Sequence, residues 1–115
     1  YSENSTVSAI QAYLALHYNK RIKMREIADH FYLSESYLFE LFRKHTNTTI
    51  MQFIAELRIR KACTLLRTSD LPISAISEKV GYDDLSYFGR LFKRRVKCSP
   101  ANYRKKCLAN NPPSV

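Results

Sequence analysis

An all-α fold of seven helices, four of them forming a duplicated helical pair, is what this sequence predicts, and three observations carry the prediction. Only 2 Gly and 4 Pro occur in 115 residues, so turns are few and elements long, which favours helices over a many-turned sheet. Apolar residues recur at spacings of three and four along most of the chain, the period of a helix with one buried face. One block of sequence also occurs twice, about fifty residues apart. A hydrophobic content of 45% supplies a packed interior, and 25% charged residues is ordinary for a soluble chain.

The helices follow in order. Val7, Ile10, Leu14 and Tyr18 define a first helix over residues 7–18, with Ser5 or Thr6 as its cap. Residues 20–23 are polar and connect it to a short helix over 24–30, with Met24, Ile27, Ala28 and Phe31 inward. Ser34 caps a third helix over 35–46, whose inward residues are Tyr37 or Leu38, Leu41 and Phe42. Asn47 ends it, because Asn tolerates the left-handed conformation. Thr49-Ile50-Met51-Gln52 has the form of a capping box and opens the longest pattern, over 50–67, a helix of ~27 Å at ~1.5 Å per residue. Its stripe is Ile50, Phe53, Ile54, Leu57, Ala62, Leu65 and Leu66.

Pro72 suits the first turn of a fifth helix that spans Ile73 to Val80, with Ile73, Ile76, Ser77 and Val80 inward. Gly81 supplies a turn residue free to take positive φ. Asp83 or Asp84 caps a sixth helix over 85–96. Ser99-Pro100, a cap followed by a first-turn proline, opens a seventh that runs to about residue 106. The end of the chain, over 107–115, has two Pro and little to bury, and is expected to be disordered.

Met24-x-x-Ile27-Ala28-x-x-Phe31 matches Ile73-x-x-Ile76-Ser77-x-x-Val80, and Ser36-Tyr37-Leu38-x-x-Leu41-Phe42-Arg43-Lys44 matches Ser86-Tyr87-Phe88-x-x-Leu91-Phe92-Lys93-Arg94, with a one-residue slip in the turn between them. Each unit is a short helix, a tight turn and a second helix, which is helix-turn-helix architecture. Ala28 and Ser77 are small where the two helices cross. Burial of one side of the second helix leaves Glu35, Ser36, Phe39, Glu40 and Arg43 outward in the first unit, and Leu85, Ser86, Gly89, Arg90 and Lys93 in the second. Those are the positions that reach base edges if the helix enters a major groove. A plain helical bundle with a duplicated hairpin satisfies the inward stripes equally well.

Charge separates the two halves. Residues 1–57 hold six Lys or Arg and six Asp or Glu, whereas residues 58–115 hold thirteen and four and carry the whole net charge of +9. Between Arg90 and Lys106 there are eight basic residues and no acid. Such a field attracts a polyanion; taken alone it also fits a solvated basic face. Duplication, small crossing residues and basic surplus together favour DNA binding over the bundle.

Other classes find little support. His17, His30 and His45 are scattered, with no metal-ligand spacing, no nucleophile–base pair and no glycine-rich phosphate loop, so neither an enzyme nor a cofactor or metal site is expected. Cys63, Cys98 and Cys107 read as free thiols of a reducing cytosol. No apolar run approaches the ~20 residues of a membrane span, no signal peptide is visible, and a cytoplasmic location is expected. A chain opening at Tyr1 rather than Met reads as a piece of a longer one.

On these stretches the chain resembles the DNA-binding domain of the AraC/XylS family of bacterial transcription regulators. The resemblance rests on Ile27-Ala28-x-x-Phe31, Leu33-Ser34-x-x-Tyr37-Leu38-x-x-Leu41-Phe42, Leu57-Arg58-Ile59-x-x-Ala62-x-x-Leu65-Leu66, Ile73-x-x-Ile76-x-x-x-Val80-Gly81-Tyr82-x-Asp84-x-Ser86-Tyr87-Phe88-x-Arg90-x-Phe92-Lys93, and Ser99-Pro100-x-x-Tyr103-Arg104. It implies one domain over 7–106, with homeodomain-like helix-turn-helix lobes at about 7–47 and 72–106 joined by the long helix at 50–67. It implies recognition helices at 35–46 and 85–96, entering successive major-groove turns of a double-stranded operator. Such turns are ~34 Å apart, and a rigid helix is a sensible spacer. RNA polymerase and a sensor or receiver domain elsewhere in the full-length chain are the further partners implied. The family carries Gly where Asn47 and Lys97 stand here.

Roles follow on that basis. Arg90 is the leading base reader, since Arg pairs bidentately with guanine O6 and N7; a solvated surface Arg is the alternative. Ser86 and Leu85 add a hydrogen bond and a thymine-methyl contact. Ser36, Phe39, Glu40 and Arg43 are the parallel set, with Phe39 either reading or packing on a neighbouring helix, and with Glu35 and Glu40 suited to cytosine amino groups. Lys44, Lys93 and Arg94 suit phosphates, which position without specifying. Thr48, Thr49 and Ser99 stand at helix N-termini, where backbone N–H groups favour phosphate, or serve as ordinary caps. Arg58 is expected to be buried or to pair ionically between lobes. A helical protein-interaction module without specific DNA binding is the competing function; salt dependence separates the two.

Overall fold

The computed structural model describes residues 2–110 and contains seven helices and no strand among them. They are α1 (Glu3–His17), α2 (Met24–His30), α3 (Glu35–Thr46), α4 (Ile50–Thr68), α5 (Ile73–Val80), α6 (Leu85–Val96) and α7 (Pro100–Asn110). No helix of the described residues is long and apolar enough to cross a membrane. The chain divides into two compact units, one up to Leu57 and one from Arg58 onward, with the cut inside α4.

The first unit is closed by Val7, Ile10 and Leu14 of α1, Ile27 and Ala28 of α2, Leu38, Leu41 and Phe42 of α3, and Ile50 and Ile54 of α4. Tyr37 is 44% exposed, so Leu38 is the inward residue of that pair. Met24, Phe31, Leu33 and Phe53 pack half-buried against this core. The second unit is built from Ile59, Ala62 and Leu66 of α4, Ile76 and Val80 of α5, and Phe88, Leu91 and Phe92 of α6. Tyr103 of α7 rests edge-on against Phe92 at 5.7 Å between centroids. Ile59 joins this core from a position outside the expected stripe, because the buried side of α4 changes along its length.

Helix ends largely follow local chemistry. The Ser34 hydroxyl accepts from the Tyr37 N–H at 3.1 Å and Asp84, rather than Asp83, accepts from Tyr87 at 3.1 Å. In the capping box of α4, Thr49 Oγ1 accepts from the Gln52 N–H at 3.1 Å and Gln52 Oε1 from the Thr49 N–H at 3.0 Å. Three expectations need correction. Helix α1 starts at Glu3 and is capped by Ser2, whose side chain accepts from the Ser5 N–H, not by Ser5 or Thr6; the polar 3–6 stretch has no apolar period to mark it as helix. Pro72 occupies the cap position itself, with extended ψ of 153°, rather than the first turn. Helix α7 continues through Ala109 and Asn110, past the point where disorder was expected. It is anchored by Arg104, which donates to the carbonyls of Leu66 at 3.2 Å and Ser69 at 3.0 Å. The rest of the expected tail, 111–115, lies outside the described residues.

Candidate nucleic-acid interface

Two turns set the two candidate recognition helices. Leu33 N–H donates to Ala28 O at 2.9 Å, and Tyr82 N–H to Ser77 O at 2.9 Å, so the turns are equivalent up to Leu33 and Tyr82. Ser34 then caps α3 at once, whereas Asp83 intervenes before Asp84 caps α6. The one-residue slip is therefore Asp83. Within this frame Tyr32 (φ 58°) occupies the place of Gly81 (φ 110°). A tyrosine at positive φ costs energy that glycine does not, and Tyr32 is 96% exposed, so no buried contact compensates. Gly81 suits the second turn first by its φ, and a Cβ there would also lie 3.0 Å from the guanidinium of Arg58, which would have to shift. Ser77, buried at the helix crossing, donates its hydroxyl to Tyr82 O at 2.9 Å, which satisfies a polar group where Ala would have none.

Arg58 stacks over Tyr82, 4.8 Å from the ring centroid, a cation–π contact within the second unit. Burial raises the Tyr82 hydroxyl pKa, and Arg58 opposes that shift. Asn47 and Lys97 both end their helices in the left-handed conformation, donating to Arg43 O at 2.9 Å and Lys93 O at 2.8 Å. Lys97 thus adopts a left-handed backbone that Gly takes more readily, and its Nζ donates to Arg94 O at 3.1 Å.

The buried side of α3 is Leu38, Leu41 and Phe42, and that of α6 is Phe88, Leu91 and Phe92. The opposite side is accessible in both. Ser36, Glu40 and Arg43 are exposed, and Phe39 is 44% exposed. Met24, Glu35, Ser36, Phe39 and Glu40 line one shallow hollow, and Phe39, Glu40, Arg43, Lys44 and Asn47 line the next. The structure thus brings the first unit's base-edge candidates and Lys44 onto one continuous surface, with Phe39 lining it. On α6, Leu85, Ser86, Arg90, Lys93 and Arg94 are exposed, and Gly89 faces open space.

The cap residues are placed differently. Thr49 Oγ1 and N–H are both used in the capping box, Thr48 Oγ1 donates to Gln52 Oε1 at 3.0 Å, and Ser99 Oγ accepts from the Asn102 N–H at 3.2 Å. The Thr49 and Ser99 hydroxyls thus serve as caps, while the Thr48 hydroxyl supports the Gln52 side chain of the capping box. Sequence reading missed two sets of contacts altogether. Glu3 Oε1 accepts from Lys44 Nζ at 3.1 Å and bonds His45 Nε2 at 2.7 Å, holding the Glu3 carboxyl below its ordinary range through His45 first and Lys44 second. Arg67 donates to the Tyr103 hydroxyl at 3.1 Å, beside the free thiol of Cys63, whose pKa burial raises. Both join residues more than thirty positions apart, beyond the reach of any local pattern.

Among the described residues no cluster of three or more His, Cys, Asp or Glu suits a metal. What the site offers is two accessible helix faces, one mixed and one basic. Comparison with known proteins agrees with this geometry. A family model described as a helix-turn-helix domain matches residues 27–106. The Msm operon regulatory protein of Streptococcus mutans is 33% identical over 110 residues, covering 96% of this chain and 39% of that protein. The C-terminal domain of the response regulator AraT from Geobacillus stearothermophilus superposes with a TM-score of 0.84 at 29% identity, covering 87% of this chain and 84% of that one. The DNA-binding domain of AdpA, solved with a target DNA, shares the fold at a TM-score of 0.88 and 24% identity, covering 94% and 97%. The chain spans about a third of the length of the relatives it matches. With its two helix-turn-helix units and this match over most of its length, the chain belongs to the AraC/XylS family of DNA-binding transcription regulators.

Proposed function

We propose that this chain reads a double-stranded operator with α3 and α6, each in a major groove on successive turns of the duplex, and thereby directs bacterial transcription from the cytoplasm. The observation that carries the reading is the pair of equivalent second helices, each with its apolar side buried and its outward side exposed. A helix so placed can lie in a major groove with several side chains at base edges. Arg90 reads guanine, with Ser86 and Leu85 beside it. Ser36, Phe39, Glu40 and Arg43 read the other half-site. Lys44, Lys93 and Arg94 bind phosphates, and the helix N-termini at Thr48, Thr49 and Ser99 lie against the backbone. RNA polymerase and a sensor or receiver domain of the full-length protein complete the partners, by analogy with regulators that this chain matches over about a third of their length.

Selection of bound duplexes from a random library of about three helical turns tests this. Two enriched boxes centred roughly 10 bp apart are expected. A single box assigns reading to one unit. No enrichment, with binding indifferent to salt, overturns the reading in favour of a helical protein-interaction module.

A further inference from the structure

We propose that Glu3 is an internal competitor for the DNA phosphate that Lys44 binds, so that the first turn of α1 sets how strongly the first unit holds DNA. The inference rests on the proposed DNA reading and adds a residue outside both recognition helices. Lys44 lines the same hollow as Phe39, Glu40 and Arg43, so its ammonium stands at the edge of the candidate reading surface. A single Glu3 oxygen holds that ammonium at 3.1 Å and His45 Nε2 at 2.7 Å. A carboxylate oxygen presents to an ammonium the same charge and acceptor geometry as a phosphate oxygen. One Lys44 head group therefore serves either partner well, and not both.

The contact is built to yield. The Lys44 and Glu3 side chains are 68% and 44% exposed, and exposed pairs of this kind are weak and screened by salt. Glu3 is the first residue of α1, which is held to the core further along by Val7, Ile10 and Leu14. Fraying or displacement of that first turn would release Lys44 without unfolding the unit. The equivalent residue of α6, Arg94, has no such competitor: among the described residues no carboxylate pairs with it.

The test is a salt titration of binding to a duplex recovered from the random library, with wild type, Glu3→Gln, Lys44→Gln, the double variant, and Glu26→Gln as a control that removes an exposed carboxylate elsewhere on the first unit. Each phosphate neutralised adds about 0.9 to the slope of log K against log salt. Glu3→Gln is expected to steepen that slope by up to about 0.9. Its affinity advantage over wild type then grows by about 3.5-fold between about 200 and about 50 mM salt. The double variant should match Lys44→Gln, and Glu26→Gln should match wild type. The competition is overturned if Glu3→Gln matches wild type on a duplex both bind, if its effect persists without Lys44, or if Glu26→Gln reproduces it. A wild type that binds no duplex selectively overturns the DNA reading itself, and the competition with it. Helical content and melting temperature of each variant separate a lost contact from a lost fold.

Discussion

The two helix-turn-helix units solve one packing problem with two different outward chemistries. From Leu41 to Ile50 and from Leu91 to Pro100 the pattern of buried, half-buried and exposed positions is the same residue for residue. On the outward side Ser36 matches Ser86 and Arg43 shares its charge with Lys93, but elsewhere the correspondence ends. Glu40 stands where Arg90 stands, Phe39 where Gly89 stands, and Lys44, held by Glu3, where Arg94 stands. The interior constrains volume and polarity tightly, because a closely packed core responds to a single methylene. The outward face carries no such constraint and is free to diverge in charge. A shared scaffold therefore does not imply a shared target: on the proposed reading the Arg side would meet guanine and the Glu side a cytosine amino group.

The largest expected effect tests whether the interiors are equivalent. Phe42 and Phe92 are both fully buried at matching positions. Truncation of either to Ala should cost about 3–5 kcal/mol, measured by denaturant unfolding. A cost in one unit several times that in the other would break the equivalence of the two cores.

Exchange of the outward charges comes next. Arg90→Ala should weaken binding to the selected operator by about 1–3 kcal/mol and relax specificity at one position. Glu40→Arg should instead change the preferred base at the matching position of the other half-site, visible as an altered consensus in a repeated selection. An unchanged consensus would show that Glu40 does not face a base.

The turns should respond with opposite signs. Gly81→Ala places a Cβ at φ 110° and 3.0 Å from Arg58, and should destabilise the second unit by about 1–2 kcal/mol. Tyr32→Gly removes left-handed strain and should stabilise the first unit by at most about 1 kcal/mol, since glycine also gains entropy when unfolded. Paired melting curves decide this, and a stabilising Gly81→Ala would sink the assignment.

The smallest effect is a pH dependence confined to the first unit. Glu3 has a lowered pKa in the folded chain through His45 and Lys44. Its contribution is therefore present above the ordinary glutamate range and lost as pH falls through the lowered folded value. Acid melting of wild type and Glu3→Gln should converge below that point and differ above it.

Local chemistry made much of this molecule legible from its residues. Ser34, Thr49, Gln52 and Ser99 satisfy backbone groups one turn away, Asn47 and Gly81 suit left-handed backbone, and the stripes of α3 and α6 repeat at helical spacing. Each of these depends on neighbours within four residues, which is the range over which helix periodicity and capping act. The start of α1 and the full reach of α7 were not legible. One is a polar turn capped by Ser2, the other is held by Arg104 on carbonyls 35 and 38 residues away. The site divides the same way. That Ser36, Phe39, Glu40 and Arg43, or Leu85, Ser86 and Arg90, share an outward side follows from helical spacing alone. That Lys44 is held by a carboxylate from the first turn of α1 and that Arg58 lies on Tyr82 were decided only when distant segments met, because an ion pair or a ring stack depends on which atoms the folded chain brings together and not on the order in which they are joined.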